Sequence, residues 1–307
     1  PPRAGAYKPP PLASQTKGMH SMYESMKGML AKANAEGYAV MAINAFNLET
    51  ARGVITAAEE MNAPIIIDLL QDHVKAYFDC DVLTAPIIKM AQAAHVPVAI
   101  NLDHGHDIAH LKRCLHEGFS SVMCDASACS DEENARITKE VVELADMFGA
   151  SVEAEVGNMG RMADDGVMLT DAAMYTDPDA AIAFIEKTGV TALAISYGST
   201  HGDYPEGYVP EFHFDIVEKI KAATGCPLVL HGGSGAGDDN MRRSVEAGIN
   251  KINVGTDYMI AQRDFIANAL AEDPSCDFPQ LIQDSWCAGV DTIKHYIELS
   301  GSAGKAF

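Results

Sequence analysis

Positive charge is scarce in this chain. Lys and Arg number 22 against 43 Asp and Glu, a net charge of −21 over 307 residues. A field of that sign repels nucleic acid and anionic membranes, which argues against both as general partners. An anionic ligand would need local compensation from a metal ion or from backbone N–H groups. Long hydrophobic runs are missing too, since none reaches the roughly 18 residues that a membrane-spanning helix needs. The first residues, Pro1-Pro2-Arg3 through Lys8-Pro9-Pro10-Pro11, lack the apolar core of a signal peptide. Residues 1–18 read as a disordered extension or an expression remnant, and one domain is expected over 19–307. Paired cysteines are also lacking. Cys80, Cys114, Cys124, Cys129, Cys226, Cys276 and Cys287 are scattered with no C-x-x-C pair. Reduced thiols in a cytoplasmic protein are therefore expected, not a disulfide scaffold.

What is present is a chain 48% hydrophobic and 21% charged, with material for a sizeable core. Eight short apolar runs recur at 38–43, 64–69, 97–102, 120–125, 150–155, 191–196, 226–231 and 250–254. They are rich in Val, Ile and Ala and nearly continuous in apolarity, as buried parallel strands are. Their spacing is about 30 residues, the length of one strand–helix unit. Between them, 49–61, 131–148, 212–223 and 238–247 carry apolar residues at helical spacing. Ser130 followed by Glu133 forms a capping-box signature. Residues 20–35 are expected to close the barrel bottom as a helix, and 277–300 to add C-terminal helices. No G-x-G-x-x-G follows the first run, where Ala42-Ile43-Asn44 stands instead, so an open dinucleotide-binding sheet is disfavoured. Eight strand–helix units predict a single-domain (β/α)8, or TIM, barrel.

On such a barrel the chemistry sits at the C-terminal ends of the strands. The ends here are Asn44, Asp103-His104-Gly105-His106, Asp125, Glu155, Ser199-Thr200-His201-Gly202, His231-Gly232-Gly233-Ser234-Gly235 and Asn253-Val254-Gly255-Thr256-Asp257. His104, His201 and His231 thus reach one mouth from separate strands. Three imidazoles with an open position make a catalytic zinc site, although each histidine alone could be an ordinary core or surface residue. Gly-rich turns before helices allow backbone N–H groups to approach a phosphate. His106 and His110 read as helix-start residues. His73 and His95 receive no role.

Asn101-Leu102-Asp103-His104-Gly105, Ser121 through Ser127, Ser151 through Gly157, Leu230 through Gly235 and Asn253 through Asp257 resemble the class II fructose/tagatose-bisphosphate aldolases. The closing Gly301-Ser302-Ala303-Gly304-Lys305 matches as well, and the resemblance spans roughly 20–305. It implies metal-dependent aldol cleavage of a ketose phosphate to dihydroxyacetone phosphate, or a close analogue, and an aldehyde. It implies His104, His201 and His231 as ligands of a Zn2+ ion, with other divalent metals and a monovalent cation also open. Asp125 and Glu155 match carboxylates of a second or displaced metal position. Asp103 matches the acid/base acting on the C4 hydroxyl. Gly202, Gly232, Gly233, Ser234, Asn253, Gly255 and Thr256 match the phosphate cradle, and Asn44 is expected to bind substrate. A homo-oligomer, dimer or tetramer, is implied too. The chemistry is consistent: a metal can stabilise an enediolate as a Lewis acid, and no Schiff-base lysine is then required.

The chain departs from the family at several places. Ala163 stands where a Glu usually precedes paired Asp residues, leaving Asp164 or Asp165 to substitute or the step to differ. Asp203-Tyr204-Pro205-Glu206 follows His201-Gly202 where a Lys is usual. Leu69-Leu70 replaces a common Ser. Gly255 occupies the position of an Asp in fructose-specific members, and Met259 falls near that of an Arg for the distal phosphate. These losses predict a ketose without the usual second phosphate. Two rival readings are a non-catalytic protein binding metal and anion, and an amidohydrolase-like enzyme using His104-Gly105-His106 as an H-x-H pair.

Overall fold

The computed structural model describes residues 21–157, 160–161, 175–201, 208 and 210–307, with only the backbone of 160, 161 and 201. The expected N-terminal extension and the loop residues Ala163, Asp164, Asp165, Gly202, Asp203 and Glu206 lie outside the described residues.

The eight expected strands are all present, within a few residues of their predicted ends. They are β1 Val40–Asn44, β2 Ile65–Leu70, β3 Val98–Gly105, β4 Ser121–Cys124, β5 Ser151–Val156, β7 Ala192–Ile195, β9 Leu228–Leu230 and β10 Ile249–Val254. All pair in parallel and close in the order β1-β10-β9-β7-β5-β4-β3-β2. This is a (β/α)8 barrel. Two further short strands, β6 Gly160–Arg161 and β8 Thr200–His201, form a separate parallel pair that sets Arg161 opposite His201.

The helices are α1 Met26–Glu36, α2 Leu48–Met61, α3 Gln71–Tyr77, α4 Cys80–Ala93, α5 Ile108–Glu117, α6 Asp131–Asp146, α7 Pro178–Thr188, α8 Phe214–Thr224, α9 Asp238–Ala247, α10 Thr256–Glu272 and α11 Phe278–Leu299. The expected capping box at α6 is half made. Ser130 Oγ accepts the Glu133 N–H at 3.4 Å, while the Glu133 carboxylate is taken by Arg136 at 2.6 Å instead of turning back to the cap. Helix α3 carries no side-chain cap, which explains why the segment after β2 shows no start signal in sequence.

Two apolar cores divide the molecule. The larger lies between strands and helices, with Ile65, Ile67, Ile100, Leu102, Leu193 and Leu230 facing outward from the sheet. The smaller fills the bottom of the barrel with Val40, Ala42, Ile66, Ala99, Ala192, Ala194 and Val229, and α1 plugs it with Met26, Met29, Leu30 and Ala33. Residues i and i+2 on a strand share a face. The inward series therefore continues upward from Ile66 to Asp68, from Ala99 to Asn101 and Asp103, and from Val229 to His231. Apolar filling gives way to polar filling halfway up, and this step positions the site.

Candidate active site

A buried ion network occupies the middle layer. Lys251 Nζ lies 2.8 Å from Glu153 Oε2 and 3.4 Å from Asp68 Oδ2, with all three side chains inaccessible. Asn101 donates to Asp68 Oδ1 at 2.9 Å. Burial opposes the Lys251 charge, but the carboxylates of Asp68, Glu153 and Asp103 hold its ammonium well above the ordinary range. A lysine held protonated in this way cannot serve as a Schiff-base nucleophile. Burial likewise pushes the Asp68 carboxyl up to about 7, against the pull of Lys251.

The network supports the mouth in two directions. Towards β10, Lys251 donates to Asn253 Oδ1 at 2.7 Å, and Asn253 Nδ2 donates to Asp103 Oδ1 at 3.3 Å. Towards β5, the second oxygen of Glu153 meets His231 Nε2 at 2.8 Å. That contact favours a His231 tautomer with the proton on Nε2 and Nδ1 as the lone-pair nitrogen. Nδ1 lies 3.3 Å from Glu155 Oε2. His104 is held in the same manner by Asp125, whose Oδ2 takes Nδ1 at 2.8 Å, and Ser127 supports Asp125 at 2.7 Å. The His104 and His231 rings meet edge to face with centroids 4.9 Å apart. One donor atom each from His104, Glu155 and His231 lie within 4.8 Å of one another. Asp125 is outside this group, beside the His104 ring.

Asp103 and His104 face the same mouth because β3 is irregular there. Leu102 pairs with Val122 and Gly105 with Cys124, so β3 spends three steps where β4 spends two. His104 takes φ +49°, a left-handed conformation costing about 1–2 kcal/mol for a side chain with a Cβ. A regular strand would send neighbouring side chains to opposite faces; a bulge re-aims one of them. Gly105 makes this possible, since a Cβ there would sit 2.4 Å from the Met123 carbonyl oxygen.

Asp103 is 3% exposed. Burial opposes its charge, but His104, His231 and Lys251, with the amide of Asn44 at 2.8 Å, hold its carboxyl below the ordinary range. It is therefore an ionised base. The cavity above it has a volume of about 310 Å3 and is lined by Asn44, Leu70, His73, Asp103, His104, Gly232, Ser234, Asn253, Gly255, Thr256 and Met259. On one side Ser234 Oγ accepts the Gly255 and Asp257 N–H groups, each at 3.3 Å, tying the two Gly-rich turns together. Gly232 has φ +66°, and a Cβ there would lie 2.3 Å from the Thr200 carbonyl oxygen. The backbone just before His201 thus runs against the turn that follows His231. Leu70, His73 and Met259 add apolar and imidazole surface to the lining.

Of the residues singled out from sequence, Asn44, Asp103, His104, Gly232, Ser234, Asn253, Gly255 and Thr256 line this cavity. Glu155 and His231 join the donor group at its floor, and Gly233 packs beneath, where a Cβ would lie 2.7 Å from the Asn253 carbonyl oxygen. The side chain of His201 and all of Gly202 lie outside the described residues. His106 does not join His104, because its ring turns to Gln71 at 2.7 Å and Asp72 at 3.6 Å. That separates the two members of the H-x-H pair. Asp68, Asn101, Glu153 and Lys251 have no role assigned from the sequence, and His73, set aside there, lines the cavity. Charged residues at inward positions of apolar runs, such as Glu153 and Lys251, were the available signal.

A parallel barrel with imidazole and carboxylate donors beside an ionised aspartate at its strand ends is an enzyme equipped to use a metal ion. The model of the family described as fructose-bisphosphate aldolase class-II matches residues 24–305, and the chain belongs to that family. The protein is accordingly a class II aldolase, an aldehyde-lyase. The family is metal-dependent, and membership implies a sugar phosphate as substrate. A fructose-bisphosphate aldolase of Staphylococcus aureus (strain Mu50 / ATCC 700699) is 37% identical over 292 residues, covering 92% of this chain and 98% of its own. A sulfofructosephosphate aldolase of Alkalicoccus urumqiensis is 36% identical over 288 residues, with the same coverage. The crystal structure of the YdjI aldolase from Escherichia coli K12 superposes with a TM-score of 0.81 at 33% identity, covering 93% of this chain and all of that one. Among the described residues, no helix is long and apolar enough to cross a membrane.

Proposed function

We propose that this protein cleaves, and in reverse condenses, a ketose phosphate whose distal end lacks a second phosphate, giving dihydroxyacetone phosphate or a close analogue and an aldehyde. The observation that carries the reading is the His104–Glu155–His231 donor group opening beside ionised Asp103. Two neutral imidazoles and a carboxylate suit Zn2+, and His201, carried by β8 alongside this mouth, is assigned as a further ligand. When bound there, a divalent ion supplies Lewis-acid stabilisation of the negative charge that develops on the ketone half.

The chain's own residues do the rest. Asp103 takes the proton from the hydroxyl next to the breaking C–C bond as the bond's electron pair passes to the ketone half. Asn44 and Asn253 hold the two Asp103 oxygens, so the carboxylate meets that hydroxyl in a set orientation. Asp125 and Glu153 orient the imidazoles of His104 and His231. Gly232, Gly233, Ser234, Gly255 and Thr256 form the phosphate cradle, where small side chains and the N-terminus of α10 favour an anion, and Gly202, outside the described residues, is assigned to it by the family resemblance. Leu70 and Met259 line the distal end and offer no cation to a second phosphate.

The test is a zinc-reconstituted assay of dihydroxyacetone phosphate release from fructose and tagatose bisphosphates, a sulfofructose phosphate and several ketose monophosphates. Faster turnover of at least one monophosphate is expected. Efficient cleavage of fructose bisphosphate would overturn the substrate assignment, and silence across the panel would overturn the aldol reading.

A further inference from the structure

A second group of metal-type donors lies away from the barrel mouth, on its outer wall. Cys80 is the first residue of α4, and Asp79 caps that helix by accepting the Cys80 N–H at 2.8 Å. His110 and Cys114 stand four residues apart on α5 and so share one face. The two helices pack side by side. Cys80 and Cys114 are inaccessible and His110 is 5% exposed. One ring nitrogen of His110 and the two sulfurs all lie within 4.8 Å of one another. An ordinary core would fill such a place with apolar groups. Here it holds an imidazole whose Nε2 is buried with no hydrogen-bond partner among the described residues.

We propose that Cys80, His110 and Cys114 form a second metal site, binding a thiophilic divalent ion such as Zn2+ that clamps α4 to α5. Two thiolates and an imidazole are donors zinc favours, with a water in the fourth position. Metal–sulfur bonds of ~2.3 Å and metal–nitrogen bonds of ~2.0–2.1 Å give tetrahedral edges of roughly 3.5–3.8 Å. The donors therefore need to close by at most about 1 Å, within reach of small side-chain rotations. Two thiolates, a neutral imidazole and a divalent cation sum to zero charge, the least costly state to bury. Binding transfers two thiol protons to solvent and forms two metal–sulfur bonds and one metal–nitrogen bond, with no change of oxidation state. Burial holds His110 below its ordinary value, so its ring is neutral and able to ligate. Burial also holds both thiols up. The Asp79 carboxylate adds to that rise at Cys80, while helix α4's N-terminus and the Arg113 guanidinium, which sits 3.0 Å from Asp79, oppose it. Helix α5 begins just after the end of β3 that bears Asp103 and His104, so the clamp steadies the wall behind that strand end. This site does not depend on the substrate or mechanism assigned above.

Cobalt distinguishes the two sites, because no cysteine thiol is among the described residues that line the mouth. Metal-stripped, reduced protein titrated with Co2+ should bind about two equivalents, one with an intense near-ultraviolet thiolate-to-cobalt charge-transfer band. That equivalent should release about two protons. Cys114→Ala should remove the band and one equivalent, and Cys114→Ser does the same with the side-chain volume retained. His104→Ala should keep the band while losing the other equivalent. Absence of the band in the unmodified protein overturns the proposal by itself. So does a band that survives both Cys114 substitutions, or reduced thiols that bind no metal and close instead to a Cys80–Cys114 disulfide on mild oxidation.

Discussion

Asp103 is held by two amides and surrounded by cationic or metal-binding neighbours, so replacing its charge leaves the fold's contacts nearly intact. Asp103→Asn is expected to lower kcat by about 10²–10⁴-fold with metal content unchanged, measured by steady-state kinetics beside metal analysis. His231 behaves differently. Burial opposes its charge, but Glu153 and Glu155 push the metal-free imidazole up to about 10 from its ordinary 6.5. The folded metal-free protein thus holds this proton more tightly than the unfolded chain. The stability so gained is fully present below pH 6.5 and is lost as pH rises through about 10. The melting temperature of stripped protein should fall across that window, whereas metal-loaded protein, with a neutral coordinating ring, should lack this component. A flat profile for stripped protein would contradict the assignment. At the distal end, Met259→Arg supplies the missing cation. It should raise kcat/KM for fructose bisphosphate by about tenfold, the effect of ~1.4 kcal/mol, relative to a ketose monophosphate.

At the scale of elements, the bulge in β3 decides the site. Its extra residue and the left-handed His104 put two consecutive side chains at one mouth, and Gly105 leaves the room for it. Gly105→Ala should destabilise the protein by about 1–3 kcal/mol through that steric conflict and reduce metal binding, read by denaturant unfolding and metal titration. Unchanged metal affinity would show that the bulge does not aim His104. Strand positions were legible beforehand because buried parallel strands are continuous apolar runs. Helix α3 was not, having no capping side chain. The bulge was not legible either, because it depends on pairing between β3 and β4.

For the whole molecule, the polar middle layer couples the apolar floor to the mouth. Lys251 stands between Asp68 and Glu153 and also holds Asn253. Lys251→Met should cost about 3–5 kcal/mol, because two buried carboxylates lose their counter-charge. Urea unfolding measures it, and a loss under 1 kcal/mol would mean that the layer reorganises around a proton.

The eight apolar runs and their spacing determined the barrel, since any chain with eight such strands must bury them on both faces. The strand-end motifs led to Asp103, His104 and His231, because on this fold strand ends converge. Only the tertiary structure decided which atoms meet. It set Asp125 behind His104 and Glu155 beside His231, turned His106 away, and joined Glu153 and Lys251 beneath the site. It also brought Cys80 of α4 to His110 and Cys114 of α5, a meeting that sequence spacing does not show. The reason is geometric: a strand's inward face is readable at a period of two, but partners across the barrel or between helices are chosen by closure, register and one bulge.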